Sequence, residues 1–113
     1  MFKKGNIHLA RLNPRKGNEV GKIRPVLIYQ TDLLNNISHP TTIVLPLSTT
    51  IAKNIYPLRY KINKRDNLKQ DSAILCDQIR SIDNTRIMPD VVTTLSEEEL
   101  LDIDKQVLLI LDT

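Results

Sequence analysis

The stretch GNEVGKIRPVLIYQTD, residues 17–32, places two opposite demands on one segment. Its first half is a glycine-flanked loop that carries Glu19, Lys22 and Arg24, and its second half begins the apolar run Val26-Leu27-Ile28-Tyr29. A short run that is apolar on both faces reads as a central strand rather than one with a solvated side. Pro25 heads it, where a missing N–H costs least. A central strand needs neighbours on both sides, so these residues commit the chain to a sheet.

The neighbours are legible on either side. NIHLARLN (6–13) alternates Ile7, Leu9 and Arg11 against His8, Ala10 and Leu12, a period of two. TTIVLPLS (41–48) reads as a third strand, with Pro46 marking an edge position or a bulge. PLRYKI (57–62) and SAILCDQI (72–79) are a fourth and a fifth, and SIDNTRI (81–87) is a short strand leading into a turn. The tail then changes period. Ser96 and Glu99 form a capping box, Leu95 and Leu100 its hydrophobic staple, and Leu100, Ile103, Val107 and Ile110 recur at helical spacing. The expectation is one domain over residues 1–113: five or six short antiparallel strands and a C-terminal helix, in a small curled sheet or barrel.

The net charge of +3 conceals a division along the chain. Residues 1–89 hold 15 Lys/Arg against 6 Asp/Glu, a balance of +9, while residues 90–113 hold one Lys against 7 Asp/Glu, a balance of −6. Glu97, Glu98 and Glu99 fall in the first turn of the helix, where its dipole favours them. The basic body suggests an anionic partner. No apolar run approaches the roughly 18 residues of a membrane span, and no signal-peptide core is present, which points to the cytoplasm and away from a membrane. The single Cys76 has no disulfide partner and no Cys/His neighbours, so neither a structural metal nor a cofactor is expected. Trp is absent and only four residues are aromatic, too few for an aromatic base-stacking platform.

Several chemistries lack their residues. There is no Gly-x-Ser-x-Gly elbow, and His8 in a strand and His39 in a loop read as structural or solvated. No HxxxH or DxD cluster and no GxxxxGK[ST] loop occurs. Phosphate chemistry without metal remains. RNA can be cut by its own 2′-hydroxyl, given a base for that proton, a cation against the phosphorane and help for the departing 5′-oxygen. Arg24 suits the cation, since its planar fork matches phosphate oxygens. Glu19 suits the base, and Ser48 and Thr49 could donate hydrogen bonds to a phosphate oxygen. A structural Glu–Arg pair at a strand end fits the same residues.

Three blocks narrow the choice. GNEVGKIRPVLIYQTD resembles the G-x-E-x(4)-R-P-hydrophobic signature of the MazF/PemK (Kid-like) toxins of type II toxin–antitoxin systems. IVLPLSTTIAKN is similar to that family's second block, whose loop supplies a Thr or Ser, and SAILCDQIRSIDNTRI to the third, a strand running into D-Q. The blocks come in the family's order and cover essentially the whole chain. The resemblance implies an SH3-like small barrel (CcdB/MazF-like) of five to seven antiparallel strands with a C-terminal helix. It also implies a homodimer, a cognate antitoxin with an acidic tail, and a metal-independent endoribonuclease. Single-stranded RNA would be cut at short motifs to give 2′,3′-cyclic phosphate and 5′-hydroxyl ends. Arg24 carries over as the central catalytic residue, Ser48 as the catalytic hydroxyl and Glu19 as the loop carboxylate. Lys22, Thr49, Lys64, Arg65, Asp77, Gln78 and Arg80 are the expected RNA-binding residues. Lys53, Arg59, Lys61, Lys69 and Arg86 are read first as solvated charges that could flank the groove. The sequence departs from its relatives at Val20, where a Gln is common, at Ser48, where Thr is commoner, and at Leu75, where some carry an Arg. A CcdB-like gyrase poison and a catalytically inactive RNA- or protein-binding barrel are the alternatives.

Overall fold

Segments rich in Val, Ile and Thr become seven strands: β1 (Asn6–Arg11), β2 (Ile23–Ile28), β3 (Thr41–Ser48), β4 (Arg59–Ile62), β5 (Ser72–Leu75), β6 (Arg80–Asp83) and β7 (Ile87–Thr94). A single helical turn, α1 (Asp32–Asn35), follows β2, and the long α2 (Glu97–Leu111) ends the chain. The computed structural model describes residues 2–12, 22–50 and 55–112. All pairings are antiparallel, in the order β4-β5-β3-β2-β1-β7, with β6 alongside β3. The sheet curls on itself. The 63–71 connection spans back to β7, where Asn67 N–H donates to Val92 O (3.1 Å) and Thr93 Oγ1 donates to Asp66.

β2 is central, as its doubly apolar run requires. Pro46 lies in an equally central strand, and the hydrogen-bond parity explains why it is tolerated. Tyr29 N–H donates to Ile43 O, so odd-numbered residues of β3 turn their peptide groups toward β2 and even-numbered ones away from it. Pro46 therefore directs its missing N–H to the side where β3 leaves β6, last paired at Val44, and takes up β5 from Leu47. It marks neither an edge nor a bulge, but a change of partner. Pro25 works likewise: the β2–β3 ladder ends at Val26 opposite Pro46.

The two faces of the sheet bury separate cores. Ile7, Leu27, Leu45, Leu47 and Ile74 face α2 and pack on Ile103 and Val107. Ala10, Leu12, Val26, Ile28, Val44, Ile82 and Ile87 form the second core, capped by Phe2. Each fully buried Leu or Ile contributes about 1.5–3 kcal/mol. The capping box of α2 forms as its sequence dictates, with Glu99 N–H donating to Ser96 Oγ and Ser96 N–H to Glu99. Gly5 has φ +99°, and a Cβ there would lie 3.0 Å from Leu100, so this turn requires glycine.

β1 and β7 shift register twice, and between His8↔Val91 and Ala10↔Ile87 the longer β7 segment accommodates Pro89. His8 is buried there against the Phe2 ring, and its Nδ1 lies 2.8 Å from Met88 O, which makes Nδ1 the protonated donor. That imidazole secures an irregular strand, the structural role read for it.

Candidate RNA-cleavage site

Alternation along the strands puts Leu12, Arg24, Pro46 and Ser48 on the face of the second core, just past its end. Continuing the Val26↔Pro46 register by two residues sets Arg24 opposite Ser48. Ser48 in turn pairs with Ala73 on β5, and Leu75, two residues along that strand, pairs with Arg59 on β4. Val44 pairs with Arg80 on β6. Cross-strand partners share a face, so five strands deliver their side chains to one depression of about 400 Å³. Leu12, Arg24, Pro46, Ser48, Thr50, Ile55, Arg59, Leu75, Gln78 and Arg80 line it.

Its walls are tied by hydrogen bonds. Thr50 N–H donates to Ser48 Oγ (3.1 Å), which occupies a lone pair and leaves the hydroxyl proton to be donated. Arg80 Nη2 (3.1 Å) and Arg86 Nη1 (3.2 Å) both donate to Leu12 O, where β1 gives way to the 13–21 segment. Leu12 N–H donates to Lys22 O (3.1 Å), which closes the base of that segment. Arg59 Nη1 donates to Asp77 and, at 3.1 Å, to Leu58 O. Three guanidiniums thus share the depression and one carboxylate borders it. Burial first, and then the neighbouring Asp77 carboxylate, push the Cys76 thiol up to about 11, so it stays protonated and is no nucleophile at neutral pH.

The expected residues are dispersed unevenly. Arg24, Ser48, Gln78 and Arg80 line the depression together, and exposed Lys22 lies at the start of β2 beside it. Glu19 lies outside the described residues, as do Val20 and Lys53. Thr49 departs from its neighbour: one residue on, it faces the other side and lines a second, more apolar cavity with Leu9, Pro25, Leu68, Val91 and Val92. Arg65 is held by Glu99, with Nη1 and Nη2 at 2.8 and 2.9 Å from its two oxygens, so its fork is committed to α2. That guanidinium, above all, holds Glu99 below the usual carboxylate range. Lys64 N–H donates to Asp71, and neither Lys64 nor Arg65 lines the depression. Asp77 reaches it only through Arg59. Arg59 itself has no motif. The signal that could have singled it out is register, because PLRYKI paired with SAILCD sets it opposite Leu75. Among the described residues, no three His, Cys, Asp or Glu side chains converge as a metal site.

A small curled sheet with one terminal helix gathers three guanidiniums on one face, a cationic β fold. The chain belongs to the family of PemK-like, MazF-like toxins of type II toxin–antitoxin systems, which it matches over residues 3–111. It is 39% identical over 105 residues to the endoribonuclease MazF of Staphylococcus epidermidis, across 92% of this chain and 86% of that one. Its fold is that of the Mycobacterium tuberculosis toxin MazF-mt6, with a TM-score of 0.78 at 20% identity over 95% and 96% of the two chains. The MazF fold in a MazE–MazF structure from Deinococcus radiodurans is equally similar, with a TM-score of 0.79 at 19% identity over 98% and 96%.

Proposed function

We propose that this chain is the toxin of a type II toxin–antitoxin pair and a sequence-specific endoribonuclease acting on single-stranded RNA. The observation that carries the reading is the meeting of Arg24 and Ser48 on one face of a MazF-family fold, in a depression rich in guanidiniums. The reaction needs no metal. The 2′-oxygen attacks the adjacent phosphorus, its proton passes to a base, and the 5′-oxygen leaves with a proton, giving 2′,3′-cyclic phosphate and 5′-hydroxyl ends. Arg24 stabilises the doubly charged phosphorane. A guanidinium keeps its proton in proteins, so it acts by charge and hydrogen bonding rather than as a proton donor in the reaction. Ser48 donates its free hydroxyl proton to a phosphate oxygen, and Glu19 is the candidate base.

The partners follow the charge. An antitoxin with an acidic tail suits the +9 of residues 1–89, and a MazE–MazF structure among the fold's relatives supports such a pairing. We place the working form as a cytoplasmic homodimer. No helix among the described residues is long and apolar enough to cross a membrane. The test is to incubate the purified protein with mixed-sequence RNA in EDTA and to map the new 5′ ends. Cuts at one short motif, bearing 5′-hydroxyl groups, are expected. Intact RNA, or DNA breaks that appear only with gyrase, would overturn the reading.

A further inference from the structure

Arg59 differs from Lys61, the other charge on β4, in how firmly it is placed. Its backbone is fixed from below, because Gln106, buried in α2, donates through Nε2 to Pro57 O (2.8 Å) and to Arg59 O (2.9 Å). Its side chain is fixed from the side by Asp77, at the turn where Gln78 N–H returns to Leu75 O (3.0 Å). Both protons of Nη1 are consumed by Leu58 O and Asp77. The rest of the fork, Nη2 and Nε, takes no partner among the described residues, and the side chain lines the same depression as Arg24.

A solvated surface arginine needs none of this support, since ordering a long side chain costs up to about 2 kcal/mol of rotamer freedom. Supported in this way, the guanidinium is preorganised, and its open donors form half of the planar fork that recognises phosphate. Its position sets it apart from Arg24. β2 and β4 are separated by β3 and β5, three strand spacings or about 14 Å along the sheet. That is wider than one phosphate group, so the two guanidiniums suit different phosphates of one strand passing over Ser48.

We propose that Arg59 binds an RNA backbone phosphate flanking the scissile one, with Asp77 and Gln106 as its positioning residues. The inference rests on the reading of the chain as an RNA-cleaving toxin and adds a subsite to it. Asp77 then serves the RNA without touching it, through the orientation of Arg59.

The experiment uses the full chain and an RNA oligonucleotide carrying its cleavage motif, made uncleavable by a 2′-deoxy substitution at the cut. Affinity is measured across a salt series for the wild type, Arg59→Ala, Arg59→Lys and the double variant Arg59→Ala/Asp77→Asn, which leaves no unpaired carboxylate behind. Both variants that lack the cation should bind about 10- to 100-fold more weakly. Their slope of log affinity against log salt should fall by about 0.7, the value of one single-strand phosphate contact. Arg59→Lys should recover part of the affinity. Replacing the flanking phosphates one at a time by neutral methylphosphonates should reveal one position that weakens the wild type and leaves Arg59→Ala unaffected. In cleavage assays the loss should fall on KM more than on kcat. Affinities within twofold of wild type and an unchanged salt slope would sink the inference. A wild type that binds the oligonucleotide but never cuts RNA removes the catalytic reading and leaves Arg59 to be judged by these affinities. One that does neither removes both.

Discussion

Two arginine–carboxylate pairs lie at opposite ends of the β4–β5 hairpin, and they do different work. Arg65 grips both oxygens of Glu99 and so joins the hairpin loop to the first turn of α2. Its Nε is buried without a partner. Both of its terminal nitrogens are turned to that carboxylate, away from the site depression. Arg59 gives Asp77 a single nitrogen and keeps the rest of its fork in the site depression. The difference teaches that an ion pair in a binding face is read by what it leaves over, not by its length or its charge. Sequence offers no such distinction, because both are Arg and their partners are set only by the fold.

The largest effect expected bears on the site alone. Arg24→Ala should lower cleavage on the order of 100- to 1,000-fold, as loss of one transition-state donor does, with the thermal midpoint unchanged. Wild-type rates on a motif-bearing oligonucleotide would break the assignment. Arg65→Ala should show the reverse pattern. It leaves the Glu99 carboxylate unpaired beside α2 and should cost about 1–2 kcal/mol by urea denaturation, with RNA affinity near that of wild type. If Arg65→Ala weakens RNA binding as much as Arg59→Ala does, the contrast between the pairs disappears. Ser48→Ala should slow cleavage about tenfold, the weight of one neutral hydrogen bond to a charged group, whereas Thr49→Ala on the opposite face should change it less than twofold.

The smallest effect concerns pH. Glu99 is held below its unfolded value by Arg65, so its contribution to stability is full above the unfolded carboxylate range, near pH 4.5. It is lost as pH falls through the lower folded value. Denaturation curves from pH 6 down to pH 3 should therefore be flatter for Glu99→Gln than for wild type. Parallel curves would show that the Arg65 pair adds nothing.

Much of the fold was legible because its elements keep their periods. The run 26–31, the strand 41–48 and the Ser96–Glu99 box stand within a few residues of their expected places. β7 was not legible. Ile87–Thr94 contains Met88-Pro89-Asp90, which breaks alternation and argues locally against a strand, and only the register shift opposite His8 makes room for it. α1 is one turn, too short to show a period. Arg24, Ser48, Gln78 and Arg80 were singled out from local motifs, and the fold brings them to one depression. Arg59 stood no higher than the other surface charges because its place depends on pairing across strands, and Thr49 lies on the opposite face from Ser48, which a local motif, carrying no face, does not show.

The parity of β3 also bears on how such a toxin gene can change. Ser48 and Thr49 are near-equivalent hydroxyls with opposite addresses, divided by one step of the pleat. Exchanging one hydroxyl residue for the other is a mild edit. Adding or deleting a single codon upstream within the strand is not, since it would keep every hydroxyl yet move Ser48 to the far face and hand its post to a neighbour. The reading frame of the strand, more than the identity of the residue, is what selection on this toxin must guard.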